Sequence, residues 1–368
     1  MAKTTKRISL FYPTILKREW LTGLGKVFNT RWLGQGPLVD KFEAKFGQKF
    51  GYKYCLGLNS GSAALELAYH LIGIRPGDEI LTPVFTCTAT NLPLLRRGAR
   101  LKFLDINDQL LVDYADICRK VSPKTRAIVV VNLGGLQVDN RIFTLAKKLK
   151  IPVVVDACQS LGIAEKHGNY ICYSFQAIKH FTTGDGGMLV VSNRQEYNRA
   201  KKLRWFGINR DLKRRAGWKT LVNHPMAQEI EEAGYKYHMT DIAAAMGMVG
   251  LKHSDRILKY RNQLCQEYIK GLPNYTKICG GAYWLFAVVS PNAQALIKYL
   301  RRNNIECDPV QLRNDIFKVF GGKKQPLPNM NRLESQYFYL PLHCNMTLTD
   351  VRHITKTISQ WHTQKYHK

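Results

Sequence analysis

Between residues 53 and 156, short and almost wholly apolar runs alternate with segments whose apolar residues recur at helical spacing. The runs 53–58, 79–84, 100–105, 126–131 and 152–156 read as strands, and the segments 62–72, 88–97, 112–121 and 140–150 read as helices. In the first helix, residues 64, 67, 68 and 71 share one face, and Gly73 and Pro76 stop it. Helix 140–150 repeats the pattern with Ile142, Leu145, Ala146 and Leu149, and Pro152 lies beyond its end. Strands that are apolar on both faces and separated by helices imply a mainly parallel sheet covered on both sides, an α/β fold. In such a sheet ligands gather at the carboxyl ends of the strands.

Three of those ends carry residues suited to one kind of ligand. Asn59-Ser60-Gly61-Ser62 turns from a strand straight into a helix, so free backbone N–H groups and small hydroxyls face an anion there; a plain Ser N-cap is the other reading. The strand 152–156 ends in Asp156, followed by Ala157-Cys158-Gln159-Ser160. An acid at the end of an apolar strand must be paired or hydrogen-bonded, either capping the next turn or holding a protonated ring nitrogen. The third end, Tyr173-Ser174, leads to Lys179 among Phe175, Ala177, Ile178 and Phe181. Most lysines are solvated charges, but an amine in apolar surroundings is poised to attack a carbonyl, because only the neutral form is a nucleophile. A phosphate cradle, an acid for a ring nitrogen and an aldehyde-binding lysine, in that order, fit pyridoxal phosphate better than any rival cofactor.

Composition adds a question of its own. The 368 residues include 55 basic and 27 acidic side chains, a formal net charge of +28. Such a charge admits nucleic acid as a partner and equally suits anionic small molecules. The basic residues are spread along the chain, and no zinc finger, basic zipper or RNA-recognition signature accompanies them. Nine cysteines, at 55, 87, 118, 158, 172, 265, 279, 307 and 344, form no Cys-x-x-Cys pair and no metal-ligand spacing, so reduced structural thiols and no metal are expected. No apolar run is long enough to cross a bilayer and no signal-peptide core follows the start, which points to a soluble, cytoplasmic protein without membrane contacts.

The chain resembles the DegT/DnrJ/EryC1/StrS group of sugar aminotransferases. The likeness runs through WLGQGPLVDKFEAKF at 32–46, NSGSAALELA, GDEILTPVFTCTATNLPLL, VVVDACQSLG, SFQAIKHFTTGDGG and YLPLHCNMT at 339–347. It implies the aspartate-aminotransferase fold, fold type I of the pyridoxal phosphate enzymes, with a large domain over 1–250 and a smaller α/β domain over 251–368. By this resemblance Lys179 bonds the cofactor aldehyde and later moves the proton, and Asp156 pairs with the ring nitrogen. Gln159 lies near the ring, while Gly61, Ser62 and Ser174 hold the phosphate.

Several positions depart from the family pattern. Cys87 stands where many members stack an aromatic residue on the cofactor. Lys236 and His238 occupy places where a partner subunit usually offers asparagine and arginine, which still implies a homodimer with a shared active site. One branch of the family carries histidine in place of the lysine and dehydrates its substrate; Lys179 favours amino transfer. The resemblance implies glutamate as donor and a nucleotide-linked keto sugar as acceptor, a 4-keto-6-deoxyhexose on dTDP, UDP or GDP, with a 3-keto sugar as the alternative. Candidate contacts for that substrate are Tyr12, Arg31, Trp32, Arg204, Lys219 and His238. A nucleic-acid-binding protein or an inactive scaffold on the same fold are the rival readings, and the intact set Lys179, Asp156 and Ser174 argues against both.

Overall fold

The computed structural model describes residues 7–211 and 230–366. Its central sheet comprises β1 (Cys55–Leu58), β2 (Glu79–Pro83), β3 (Arg100–Leu104), β4 (Thr125–Val131), β5 (Val153–Asp156), β6 (Tyr170–Ser174) and β7 (Gly187–Val191), in the spatial order β1-β7-β6-β5-β4-β2-β3. Neighbours from β6 across to β3 pair in parallel, whereas β7 runs antiparallel to both β1 and β6. Every residue of β5 and β7 is buried, as expected of strands covered on both faces. Because β7 returns beside β6, the connection carrying Lys179 stays at the edge where β5 and β6 end.

The covering helices are α1 (Lys17–Phe28), α2 (Pro37–Phe50), α3 (Gly61–Ile72), α4 (Thr88–Arg96), α5 (Tyr114–Lys120), α6 (Arg141–Leu149), α7 (Arg194–Leu203) and α8 (Asp241–Gly271). The Ser60 hydroxyl caps α3 by accepting from the Ala63 N–H at 3.0 Å. Asp241 joins two helix starts: it lies in the first turn of α8, and its carboxylate accepts from the N–H groups of Gly36, Leu38 and Val39 at the start of α2. Gly250 of α8 lies so close to Phe181 that a Cβ there would fall 2.3 Å from the ring, so this glycine seats the segment that bears Lys179.

A second sheet, β8 (Thr276–Ile278), β9 (Phe286–Val289) and β10 (Tyr337–Leu340), is antiparallel in the order β10-β9-β8. The helices α9 (Ala293–Arg302), α10 (Pro328–Leu333) and α11 (Leu348–Tyr366) complete this part. Its core joins Phe286 and Val288 to Leu296, Leu300, Ile354 and Ile358. The expected division at 250/251 falls inside α8: Leu251 and Ile257 pack into the core of the large sheet, and Leu264 and Tyr268 into that of the small one. One continuous helix therefore spans both cores. Asp105, one residue past β3, accepts from the Asn329 and Met330 N–H groups at the start of α10 and so ties the small part to the large sheet. In the same part, the Gln325 N–H donates to Asp315 Oδ2 at 2.7 Å. No helix among the described residues is long and apolar enough to cross a membrane.

Arg204 corrects an expectation. It directly follows α7 and is 2% exposed, and its guanidinium donates to Glu43 Oε1 and to the Gly57 carbonyl. Burial pushes the Glu43 carboxyl up and the adjacent guanidinium pulls it back down. Those contacts commit Arg204 to the interior, away from any anionic substrate. Removing one partner of a buried ion pair strands the other, so Arg204→Met is expected to cost about 3–5 kcal/mol in urea unfolding, and Glu43→Leu in that background to restore part of the loss. Unchanged stability in the single variant would contradict the structural role.

Candidate active site

A cavity of about 480 Å³ opens where β5 and β6 end, lined among others by Gly61, Ser62, Cys87, Asp156, Gln159, Ser174 and Lys179. Seven positions singled out in the sequence thus meet in one place. Fold geometry explains the convergence. Asp156 closes β5, Ser174 closes β6, Gly61 opens α3, and Lys179 lies on the β6–β7 connection.

Asp156 is buried, and each of its oxygens already accepts one hydrogen bond. The Thr90 hydroxyl donates to Oδ2 at 2.8 Å and the Cys158 N–H to Oδ1 at 3.0 Å. These bonds fix the carboxyl plane and leave acceptor capacity for a donor inside the cavity. Gln159 is positioned by its carbonyl oxygen, which accepts from the Gly134 N–H at 2.7 Å.

At the other end, Ser60 provides the helix cap, so the plain-cap reading belongs to Ser60 and not to Ser62. Ser62 and Ser174 then line the cavity beside the N-terminus of α3. A Cβ on Gly61 would fall 2.8 Å from Ser174 Cβ and 2.9 Å from Cys158 Sγ, so only glycine lets the helix start approach Ser174 so closely. Backbone N–H groups at a helix start, flanked by hydroxyls, make an anion cradle.

The Lys179 amine sits 4.2 Å from the Trp284 ring centroid. Burial lowers its pKa from the ordinary lysine range, and the neighbouring Cys158, Asp156 and Cys87 oppose that shift. A neutral amine is thereby available at lower pH than for a surface lysine. Cys87, at the start of α4, lines the same cavity but faces solvent.

Trp284 escaped the sequence reading. It lies just before β9, and its indole N–H donates to the Ile178 carbonyl at 3.2 Å. Gln311, Leu312 and Phe317 from the C-terminal part also line the cavity. Nothing local marks them, because only the packing of the small part on the large sheet brings them there. The lone tryptophan in YWLF was the available signal.

The substrate candidates lie elsewhere. Tyr12 packs 5.8 Å from His343, Trp32 lines a separate apolar groove with Val27, Leu38 and Met248, and Arg31 lies over Trp32. Lys219 falls outside the described residues. Lys236 sits 3.6 Å from the Trp205 ring centroid, and the His238 ring lies 4.0 Å from that of Trp205. Burial, with Lys236 and Arg210 nearby, depresses His238 to about 3, so the ring is neutral at physiological pH.

Residues 15–359 match the DegT/DnrJ/EryC1/StrS aminotransferase family. Among curated proteins, the chain is 30% identical to the uncharacterized protein MJ1066 of Methanocaldococcus jannaschii, over 95% of this chain and 96% of that protein. It is 28% identical to the UDP-4-amino-4-deoxy-L-arabinose--oxoglutarate aminotransferase of Shewanella sediminis, over 96% and 97%. Among solved structures, the sugar aminotransferase CalS13 of Micromonospora echinospora superposes with a TM-score of 0.87 at 29% identity, covering 96% of this chain and 99% of that one.

The sign of the Lys179 shift gives a stability test. With its folded pKa below the unfolded value of roughly 10.4, the unfolded chain binds a proton that the native state lacks in the interval between them. That difference destabilises the native state increasingly as pH falls through the interval. Lys179→Met removes it, so the ligand-free variant is expected to melt higher than wild type, by a margin that shrinks between pH 7 and pH 10. A margin independent of pH would contradict the assignment.

Proposed function

The chain belongs to the DegT/DnrJ/EryC1/StrS aminotransferase family, and from that premise we propose that it uses pyridoxal phosphate to move an amino group from glutamate to a nucleotide-linked keto sugar. The observation that carries this reading is the placement of Lys179 and Asp156 in one cavity with the open N-terminus of α3. The residues present fit the cofactor: the Gly61 approach leaves room at a cradle of N–H groups and hydroxyls, Asp156 has spare acceptor capacity, and Lys179 has the lowered pKa a carbonyl-binding amine needs.

Gly61, Ser62 and Ser174 would hold the phosphate, Asp156 the ring nitrogen and Lys179 the aldehyde, with Gln159 and Cys87 beside the ring. Pyridoxal phosphate, when bound, supplies a carbonyl that takes up the amino group and a ring that accepts electrons from the carbon losing its proton. The protein's own contributions are positional and acid–base. Asp156 would keep the ring nitrogen protonated, and Thr90 keeps Asp156 in place. The Lys179 amine, held beside Trp284, would remove a proton from the donor's carbon and return one to the acceptor's. Donor and acceptor use the same cavity in turn, which gives ping-pong kinetics.

A 4-keto-6-deoxyhexose is the preferred acceptor. The name of the Shewanella relative supports the 4-position and the donor, since it pairs a 4-amino pentose nucleotide with oxoglutarate, the keto form of glutamate; the hexose itself rests on the family resemblance. We also propose a homodimer with a shared site. The apolar groove of Val27, Trp32, Leu38 and Met248, with exposed Leu21, Phe28 and Leu33 on the same segments, supplies a surface for the second copy. Lys236, which does not line the cavity of its own protomer, would then act near the phosphate of the other.

Borohydride reduction of the protein loaded with pyridoxal phosphate, followed by peptide mapping, tests the reading. Labelling is expected at Lys179 and is expected to vanish in Lys179→Ala; incubation with glutamate before reduction should prevent it. Labelling elsewhere, or labelling that survives Lys179→Ala, would refute the cofactor site. Labelling at Lys179 without amino transfer to any keto sugar nucleotide would refute the substrate alone.

A further inference from the structure

Fourteen positions apart in the chain, Cys265 and Cys279 bring their sulfur atoms within 2.6 Å of each other. Two sulfurs that close have lost the separation of independent thiols and stand near the bonded distance of about 2.05 Å. Both belong to the core of the small part, Cys265 fully buried on α8 and Cys279 partly buried just after β8. The sequence hides the pair, because its spacing matches no redox or metal motif. Neither residue lines the catalytic cavity.

We propose that Cys265 and Cys279 form a disulfide that braces the segment 279–284 against α8. A low-molecular-weight disulfide serves as oxidant. One cysteine thiolate attacks it and expels one thiol, and the second cysteine attacks the mixed disulfide and expels the other. Two protein S–H bonds are lost, one S–S bond forms, and the oxidant is reduced to two thiols.

The braced segment ends in Trp284, which lines the cavity beside Lys179. Arg261, one helical turn before Cys265, donates to the carbonyls of Tyr283 and Trp284 at 3.0 and 2.8 Å. The His180 ring is 2.7 Å from the Ala282 carbonyl, and the N–H groups of Ala282 and Trp284 donate to Gly135 and Gly134. Gly134 in turn donates to Gln159. Cys279 thus anchors the chain that places Trp284 over Lys179, in a segment where Gly281 and Tyr283 both have positive φ, 55° and 53°. A covalent link at its start limits how far that chain can retreat from α8. The inference concerns the polypeptide alone and holds whether or not the cofactor assignment does.

Full-length protein equilibrated with oxidised glutathione and then denatured tests the bond without any variant. A non-reduced digest is expected to link the peptides of Cys265 and Cys279, with glutathione carried only by accessible cysteines such as Cys87 and Cys118. Reduction is expected to lower the thermal midpoint by a few degrees and to speed amide exchange at Ala282 and Trp284, with no such response in Cys265→Ser or Cys279→Ser. Peptides of Cys265 and Cys279 recovered unlinked, or a link between any other pair, overturns the proposal. Exchange at Ala282 and Trp284 that is unchanged by reduction overturns the bracing role.

Discussion

The site depends on taking Lys179 out of water. A lysine amine in solution is protonated and inert as a nucleophile; half-buried beside Trp284 in an open cavity, it loses part of its hydration, which its neighbours only partly replace. Everything around it serves that burial. Gly250 lets α8 approach Phe181 closely enough to seat the lysine's loop, and the antiparallel return of β7 keeps that loop at the edge where β5 presents Asp156. The parallel sheet supplies the convergence, and burial lowers the lysine's pKa.

Asp156 rests on a buried polar network that crosses from one part of the fold to the other. Thr90 donates to it and lies 2.9 Å from the Thr86 hydroxyl; the Thr86 carbonyl accepts from Asn314, whose side-chain oxygen accepts from Asn91. Asn314 also donates its backbone N–H to the Val84 carbonyl. Because Asn314 follows Gln311 and Leu312, the network fixes the wall contributed by the C-terminal segment as well as the carboxylate. Buried polar groups are costly when any member is left unpaired, so the chain of bonds holds both sides of the cavity in one arrangement.

The strand-and-helix alternation was legible because a periodic apolar pattern is a local property. Asp156, Gly61, Ser174 and Lys179 were legible because the sheet rule turns strand ends into neighbours. Trp284 and Gln311 were not, since they reach the cavity only through the packing of one part on the other. Arg204 shows the opposite error. A basic residue in a basic protein read as an anion contact, yet Glu43 and Gly57 had already claimed it in the interior. The cysteine pair was invisible for the reason Trp284 was, because proximity in space left no trace in spacing.

The central claim is that Asp156, oriented by Thr90 and the Cys158 amide, keeps a cofactor ring nitrogen protonated opposite Lys179. Nitrogen NMR of bound pyridoxal phosphate labelled at the ring nitrogen measures that protonation directly. The account predicts a protonated nitrogen in the wild-type protein at pH 8 and an unprotonated one in Asp156→Asn. An unprotonated nitrogen in the wild type, or no change in the variant, would contradict it.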